Sequence, residues 1–200
     1  GRAAVELLEL LGFEVILADK VCCGRPMISK GLVEDARRCA KHNVEALKDY
    51  AEGKIPIIGC EPSCLLTLRD EYLDLLPGEA VKSVARQSLM LEEWLVKILE
   101  AGRWSPRQQH SGKVLLHGHC HQKAFDAFGA VEQVLKLVPG LAVETIESSC
   151  CGMAGSFGYA ADTIDVSLAM GELSLLPAVR KAPDDAIIIA DGTSCRHQIH

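Results

Sequence analysis

Apolar residues recur along this chain with the periods of both helix and strand. Val5, Leu8 and Leu11, widened by Leu7 and Leu10, give Arg2–Leu11 a helical face, and Gly12 is placed to stop it. Leu32–Ala51 repeats that pattern as a long amphipathic helix. The short apolar runs Glu14–Ala18 and Ile55–Gly59 predict buried strands. Glu61-Pro62-Ser63 opens a short helix through Tyr72, since proline suits a first helical turn, and Leu89–Glu100 reads as another helix. Further on come a strand at Val114–His117, a helix at Ala124–Val138 and a strand at Ala142–Ile146. A glycine-rich turn (Gly152, Gly155, Gly158), helices at Tyr159–Leu175 and Leu176–Ala182, and a strand at Ala186–Ala190 complete the pattern. Alternating strands and helices predict an α/β fold of duplicated βαβ units, with parallel sheets flanked by helices.

The chain repeats itself. Cys22-Cys23-Gly24 and Cys150-Cys151-Gly152 lie 128 positions apart, and that offset lays Gly1 on Gly129, Leu7 on Leu135, Gly12 on Gly140 and Val15 on Val143. At an offset of 131, Ile57–Cys64 lies on Ile188–Cys195, so Cys64 matches Cys195 and Cys60 matches Asp191. Two blocks at nearly one offset indicate an internal duplication. The first repeat is expected over 1–100, a linker over 101–112, where Gly102, Pro106 and Gly112 punctuate a polar stretch, and the second repeat over 113–200. Lys113–Phe128, which opens the second repeat and holds Cys120, would find its match upstream of Gly1, so the first repeat reads as truncated at its N-terminus.

Composition narrows the chemistry. Of 200 residues, 48% are hydrophobic and 24% charged, which is ordinary globular usage. A formal charge of −6 argues against a grip on nucleic acid or anionic lipid, and no aliphatic run approaches a membrane span. No export signal is visible, so the expected location is cytoplasmic, with a peripheral place at the inner membrane face left open. Nine cysteines are then anomalous: an odd number cannot pair fully, and a reduced compartment offers no reason for disulfides. Cys22, Cys64, Cys120, Cys150 and Cys195 are each expected just after a strand, where ligands bind in open parallel sheets.

Three chemistries suit such thiols. An iron–sulfur site would draw on Cys120, Cys150, Cys151 and Cys195, and in the first repeat on Cys22, Cys23 and Cys64, with Cys60 nearby. Zinc is the second, because His119, His121 and His197 flank the cysteines, although no C-x-x-C knuckle is present. Thiol redox chemistry of the vicinal pairs is the third. His117, His119 and His121 alternate and so would share one face, as ligands or their neighbours. Cys39 reads as a small core residue, Cys60 equally as accident or extra ligand, and Arg25 and Arg196 as counter-charges or plain surface. The spacing Gly152-x-x-Gly155-x-x-Gly158 is no dinucleotide fingerprint and reads as room for a bulky ligand or as a tight turn.

Taken together, the motifs resemble a known family. Cys22-Cys23-Gly24-Arg25-Pro26, Glu61-Pro62-Ser63-Cys64, His117-Gly118-His119-Cys120-His121-Gln122, Cys150–Gly158 and Ser194-Cys195-Arg196-His197-Gln198 look like the cysteine-rich (CCG) domain. That domain occurs in heterodisulfide reductase, in the iron–sulfur subunit of glycolate oxidase, and in the C-terminal part of FAD-linked D-lactate and D-2-hydroxyglutarate dehydrogenases. The resemblance implies an electron-transfer module with a 4Fe-4S type cluster on Cys120, Cys150, Cys151 and Cys195, and on Cys22, Cys23 and Cys64. It implies flavin and ferredoxin-like domains as partners in the parent protein, FAD only there, and a quinone or other carrier as acceptor. Cluster-binding relatives end each unit with C-x-x-C, whereas here Gln198 follows Cys195 and Thr67 follows Cys64 at that spacing. The alternative is a non-redox structural or docking domain holding zinc or bare thiols. A sheet edge left open by the truncation predicts some self-association into a homo-oligomer.

Overall fold

The computed structural model describes residues 1–103 and 110–200. Half of the expected linker, 104–109, lies outside the described residues. The chain divides into two compact units, Gly1–Trp94 and Leu95–His200.

In the first unit, α1 (Arg2–Leu10) ends ahead of Gly12, whose φ of +84° is the left-handed turn expected of a helix stop. α2 (Arg25–Ser29) and α3 (Val33–Glu52) follow. α3 buries Ala36, Ala40, Asn43, Val44, Leu47 and Ala51, a helical stripe with one polar member, and starts with Glu34 and Asp35, which suit a helix N-terminus. Next come β1 (Ile57–Gly59), α4 (Pro62–Arg69), α5 (Glu71–Leu75), α6 (Glu79–Gln87) and β2 (Ser88–Met90), with α7 (Leu91–Glu100) crossing the boundary. β1 and β2 pair in parallel, Ile57 with Ser88 and Gly59 with Met90. The core gathers Ala40, Val44, Leu47, Leu68, Tyr72, Val81 and Val84 together with the Cys23 side chain.

Several expectations fail in this unit. Glu14–Ala18 forms no strand, and Ile16 and Leu17 are 52% and 82% exposed. Its match in the second repeat is a strand only because a neighbour pairs with it, and the first unit offers none. Cys22 therefore follows no strand. The helix expected from Leu89 yields its first two residues to β2, and the helix through Tyr72 breaks at Asp70. The helices α2 and α6 carry no pattern that predicted them.

The second unit holds a three-stranded parallel sheet in the order β4-β3-β5: β3 (Gly112–His117) at the centre, β4 (Leu141–Thr145) and β5 (Ile187–Ala190) at its edges. Between β3 and β4 run α8 (Cys120–Ala124) and α9 (Phe128–Lys136), so the single helix expected over Ala124–Val138 is two. A 3₁₀ turn (Phe157–Tyr159), α10 (Ile164–Glu172) and α11 (Leu175–Arg180) lead into β5, and α12 (Thr193–Ile199), unforeseen in the sequence, follows it. Alternation along β3 sorts the core. Val114 and Leu116 pack with Val131 of α9, whereas Leu115 packs with Ile146, Cys151, Met153, Leu175, Ala190 and Cys195. The α/β class with parallel sheets flanked by helices is what the pattern predicted.

Candidate metal centre

Each cysteine of the second repeat is delivered by the end of a strand. Cys120 opens α8 three residues after β3, Cys150 and Cys151 follow β4, and Cys195 sits in the first turn of α12 after β5. Cys120 is exposed, Cys150 half-buried, and Cys151 and Cys195 are buried. Gly152, at φ +94°, turns the backbone so that its N–H donates to Cys150 Sγ at 3.3 Å. A Cβ on Gly152 would stand 2.1 Å from the Ser167 carbonyl oxygen, so this glycine makes room for protein, and Gly155 faces open space. The reading of a glycine gap shaped for a bulky ligand is replaced by close packing on α10.

The four thiols form one hydrogen-bonded series. Cys120 donates to Cys150, which raises the Cys120 pKa and lowers that of Cys150; Cys151 and the Gly152 amide lower Cys150 further. Cys151, held between Cys150 and Cys195, is raised, chiefly because either neighbour can take its one S–H as acceptor and also because it is buried. Cys195 is lowered, chiefly by Cys151, against the cost of its burial. Lowered and raised thiols thus alternate along the series, with Cys150 and Cys195 the two that are lowered. A metal ion entering here would displace the remaining protons.

His117 ends β3 on the face that carries Leu115, and that face holds Cys151 and Cys195. It is fully buried, its Nδ1 lies 2.7 Å from Ser148 Oγ, and its Nε2 has no hydrogen-bond partner. His117, Cys151 and Cys195 place their ligand atoms within 4.8 Å of one another. The other two histidines are disposed differently. His119 caps α8, its Nδ1 accepting from the His121 N–H at 3.2 Å, and His121 lies within α8 with its ring edge-on to Phe125. β3 stops at His117, so the alternation expected over His117, His119 and His121 gives way to a helical turn.

The positions of the missing C-x-x-C cysteines are turned inward. Gln198 is buried and donates to the Ser167 carbonyl at 3.0 Å; Thr67 is buried and donates to the Ser63 carbonyl at 2.8 Å. Asp191, the match of Cys60, accepts from Gln122 Nε2 at 2.9 Å, and its pKa is raised by burial. Arg196 is occupied by the Ala190 carbonyl at 3.0 Å and the Thr193 hydroxyl at 3.1 Å, and Arg25 pairs with Glu71, so each arginine has a partner within the protein itself.

In the first repeat Cys23 is buried while Cys22 and Cys64 are exposed. Cys23 donates to Cys64, which raises its own pKa and lowers that of Cys64. Cys60 is exposed and Cys39 is half-buried on α3. The Cys22-Cys23 backbone is moored from below. Asn43 Nδ2 donates to the Cys22 carbonyl at 3.0 Å, Tyr72 Oη donates to the Cys23 carbonyl at 2.9 Å, and Asn43 and Tyr72 meet at 2.8 Å. Neither residue stands out in the sequence; the available signal is an asparagine in phase with the buried stripe of α3. Among the described residues, which include all nine cysteines, there is no disulfide. Thiolates joined by imidazole suit iron–sulfur clusters and zinc.

Known proteins resemble this chain along its length. The model of the cysteine-rich domain family matches residues 1–69 and 114–200. One of the subunits of anaerobic glycerol-3-phosphate dehydrogenase from Escherichia coli K12 is 29% identical over all of this chain, which covers 50% of that protein. D-2-hydroxyglutarate dehydrogenase of the same organism is 31% identical over 98% of this chain, which covers 19% of it. Lactate utilization protein A from an Exiguobacterium species is 29% identical over 84% of this chain and 70% of its own length. The chain thus spans half or less of the first two relatives. Both matched segments carry a Cys-Cys-Gly turn and a strand-end cysteine, and the chain belongs to the cysteine-rich domain family.

Proposed function

We propose that this chain is the iron–sulfur electron-transfer module of an FAD-linked dehydrogenase, with a four-iron cluster carried by Cys120, Cys150, Cys151 and Cys195. The observation that carries this reading is the continuous series of four thiols brought from three separate strand ends. The names of the relatives share one chemistry: glycerol-3-phosphate, lactate and 2-hydroxyglutarate are each small anions with a secondary alcohol. Oxidising such an alcohol to a ketone releases two electrons and two protons. A flavin on a partner domain would take both electrons, and a bound cluster would pass them on singly toward a quinone or another acceptor. The chain's own residues favour the thiolates: the pKa values of Cys150 and Cys195 are lowered by their donors, and the buried Cys151 and Cys195 are shielded from water. The first repeat, with Cys22, Cys23 and Cys64, is a weaker second site. A ferredoxin-like domain is the expected neighbour in the parent protein, and the fragment alone oxidises no substrate. Among the described residues no helix is long and apolar enough to cross a membrane.

Anaerobic reconstitution with iron and sulfide tests the proposal. The expected result is acid-labile sulfide matching the iron bound, and a reducible EPR signal that Cys150→Ser and Cys195→Ser abolish. One tightly held zinc ion with no reducible centre would sink it. That second reading, a zinc-bearing structural domain, draws on the compactness of His117, Cys151 and Cys195: their 4.8 Å span approaches the ligand shell of a single tetrahedral ion.

A further inference from the structure

His117 is left over by an account built on four thiols. Alternation along β3 turns its side chain to the face where Cys151 and Cys195 are buried, and no part of it reaches solvent. One ring nitrogen is fixed. Nδ1 meets Ser148 Oγ at 2.7 Å, while the Ser148 hydroxyl is directed at the Ile146 carbonyl at 3.4 Å, leaving Oγ to accept and Nδ1 to carry the proton. The Ser148 backbone is itself pinned, its N–H bonded to the Ile146 carbonyl at 2.9 Å and its carbonyl accepting from Lys123 Nζ. The other nitrogen, Nε2, then carries the lone pair and is buried with no hydrogen-bond partner, on an imidazole that shares a shell with two sulfurs. A histidine whose far nitrogen donates to a fixed oxygen while the near one is left without a partner beside cysteine sulfurs has the arrangement of a metal ligand.

We infer that His117 Nε2 is a direct imidazole ligand to the metal held by Cys151 and Cys195. It supplies the donor that Gln198, bonded to the Ser167 carbonyl, does not. Ser148 is then a positioning residue that sets the tautomer. A neutral imidazole in place of a thiolate leaves the centre one negative charge short, which favours the reduced state and raises the potential. Resting on the iron–sulfur reading, the inference adds a nitrogen to an otherwise all-sulfur site.

The test is pulsed EPR on the full chain, reconstituted anaerobically and reduced, with its histidines labelled with ¹⁵N. Wild type is expected to show a nitrogen hyperfine coupling of directly bound strength. His117→Cys should keep its iron, lose that coupling and titrate at a lower reduction potential. A wild-type cluster with only the weak coupling of a hydrogen-bonded nitrogen overturns the inference, as does a strong coupling that survives in His117→Cys. Should His117→Cys fail to fold, variants removing His119, His121 and His197 in turn decide. A coupling kept in all three supports His117; its loss in any one overturns the assignment. A wild type that takes up iron without sulfide, or none, overturns the iron–sulfur reading and this inference with it.

Discussion

The two repeats carry the same turn and reach different ends. In both, a left-handed glycine follows the cysteine pair, φ +87° at Gly24 and +94° at Gly152, and the second cysteine of the pair is the buried one. In the second repeat β3 lies between β4 and β5, hydrogen-bonded to each. Among the described residues of the first unit, no strand aligns with β3. Glu14–Ala18, the match of β4, consequently pairs with nothing, and β1, the match of β5, pairs with β2 instead. The second site gains His117 from the strand that completes its sheet and Cys120 from the helix that follows it. The first has three thiols, and its backbone is held by Asn43 and Tyr72. One strand therefore decides both the sheet and which candidate ligands are brought together.

The largest expected effect is on metal. Cys151→Ser or Cys195→Ser should remove nearly all iron from the second site, beyond the roughly 10–100-fold weakening that follows loss of a residue merely supporting a ligand. Cys23→Ser or Cys64→Ser should remove a much smaller share of the total. Equal losses, measured as iron per chain after reconstitution, would mean that the repeats are equivalent and the comparison false.

Stability should divide the glycines in the same direction. Gly152→Ala forces a Cβ against the Ser167 carbonyl at 2.1 Å in addition to left-handed strain, and should cost about 3 kcal/mol or more. Gly24→Ala meets Ala36 at 3.3 Å and should cost about 1 kcal/mol, chiefly backbone strain. Urea unfolding of the second unit's signal against the first would separate them.

Thiolate chemistry offers a finer contrast. Cys150 is lowered by Cys120, Cys151 and the Gly152 amide, whereas Cys64 is lowered chiefly by Cys23 alone. A lowered pKa keeps the thiolate present as pH falls. In the metal-free protein, alkylation at Cys150 should thus persist to lower pH than at Cys64. Both should outlast a simple thiol, which loses about tenfold in rate per unit below its pKa near 8.5. Peptide mass spectrometry across pH would show whether Cys64 fades first. The smallest effect concerns the unpaired segment: grafting a copy of residues 112–128 ahead of Gly1 should slow amide exchange over Glu14–Ala18 by roughly tenfold or more. No change would show that this segment cannot pair.

What the sequence made legible follows from where each element gets its stability. α1, α3 and β3 to β5 carry their own periodicity and were readable, because burial of a regular stripe is written locally. Glu14–Ala18 carries a good strand pattern and fails because a strand needs a neighbour. β2 was hidden inside a helical pattern, since three residues paired with β1 outweigh local propensity. At the candidate site Cys150, Cys151 and Cys195 were readable from the duplication, and Cys120 from its place just after a predicted strand. The buried pair Asn43 and Tyr72, and the singling out of His117 from its neighbours, depended on contacts far apart in sequence and on the point where β3 stops.

Cys23, Cys151 and Cys195 also belong to the hydrophobic cores of their units. A thiol packs as a small apolar group, so these residues serve the interior before any ion arrives. The expected order of assembly, should the site hold a metal, is folding first and loading afterwards, unlike small domains that collapse only around their metal. Chelation should strip the centre and leave near-ultraviolet circular dichroism of the folded chain in place; simultaneous loss of both signals would reverse that order. Maturation would then be delivery of iron and sulfide to a finished receptacle, open to the carrier at the exposed Cys120 and closed beneath it.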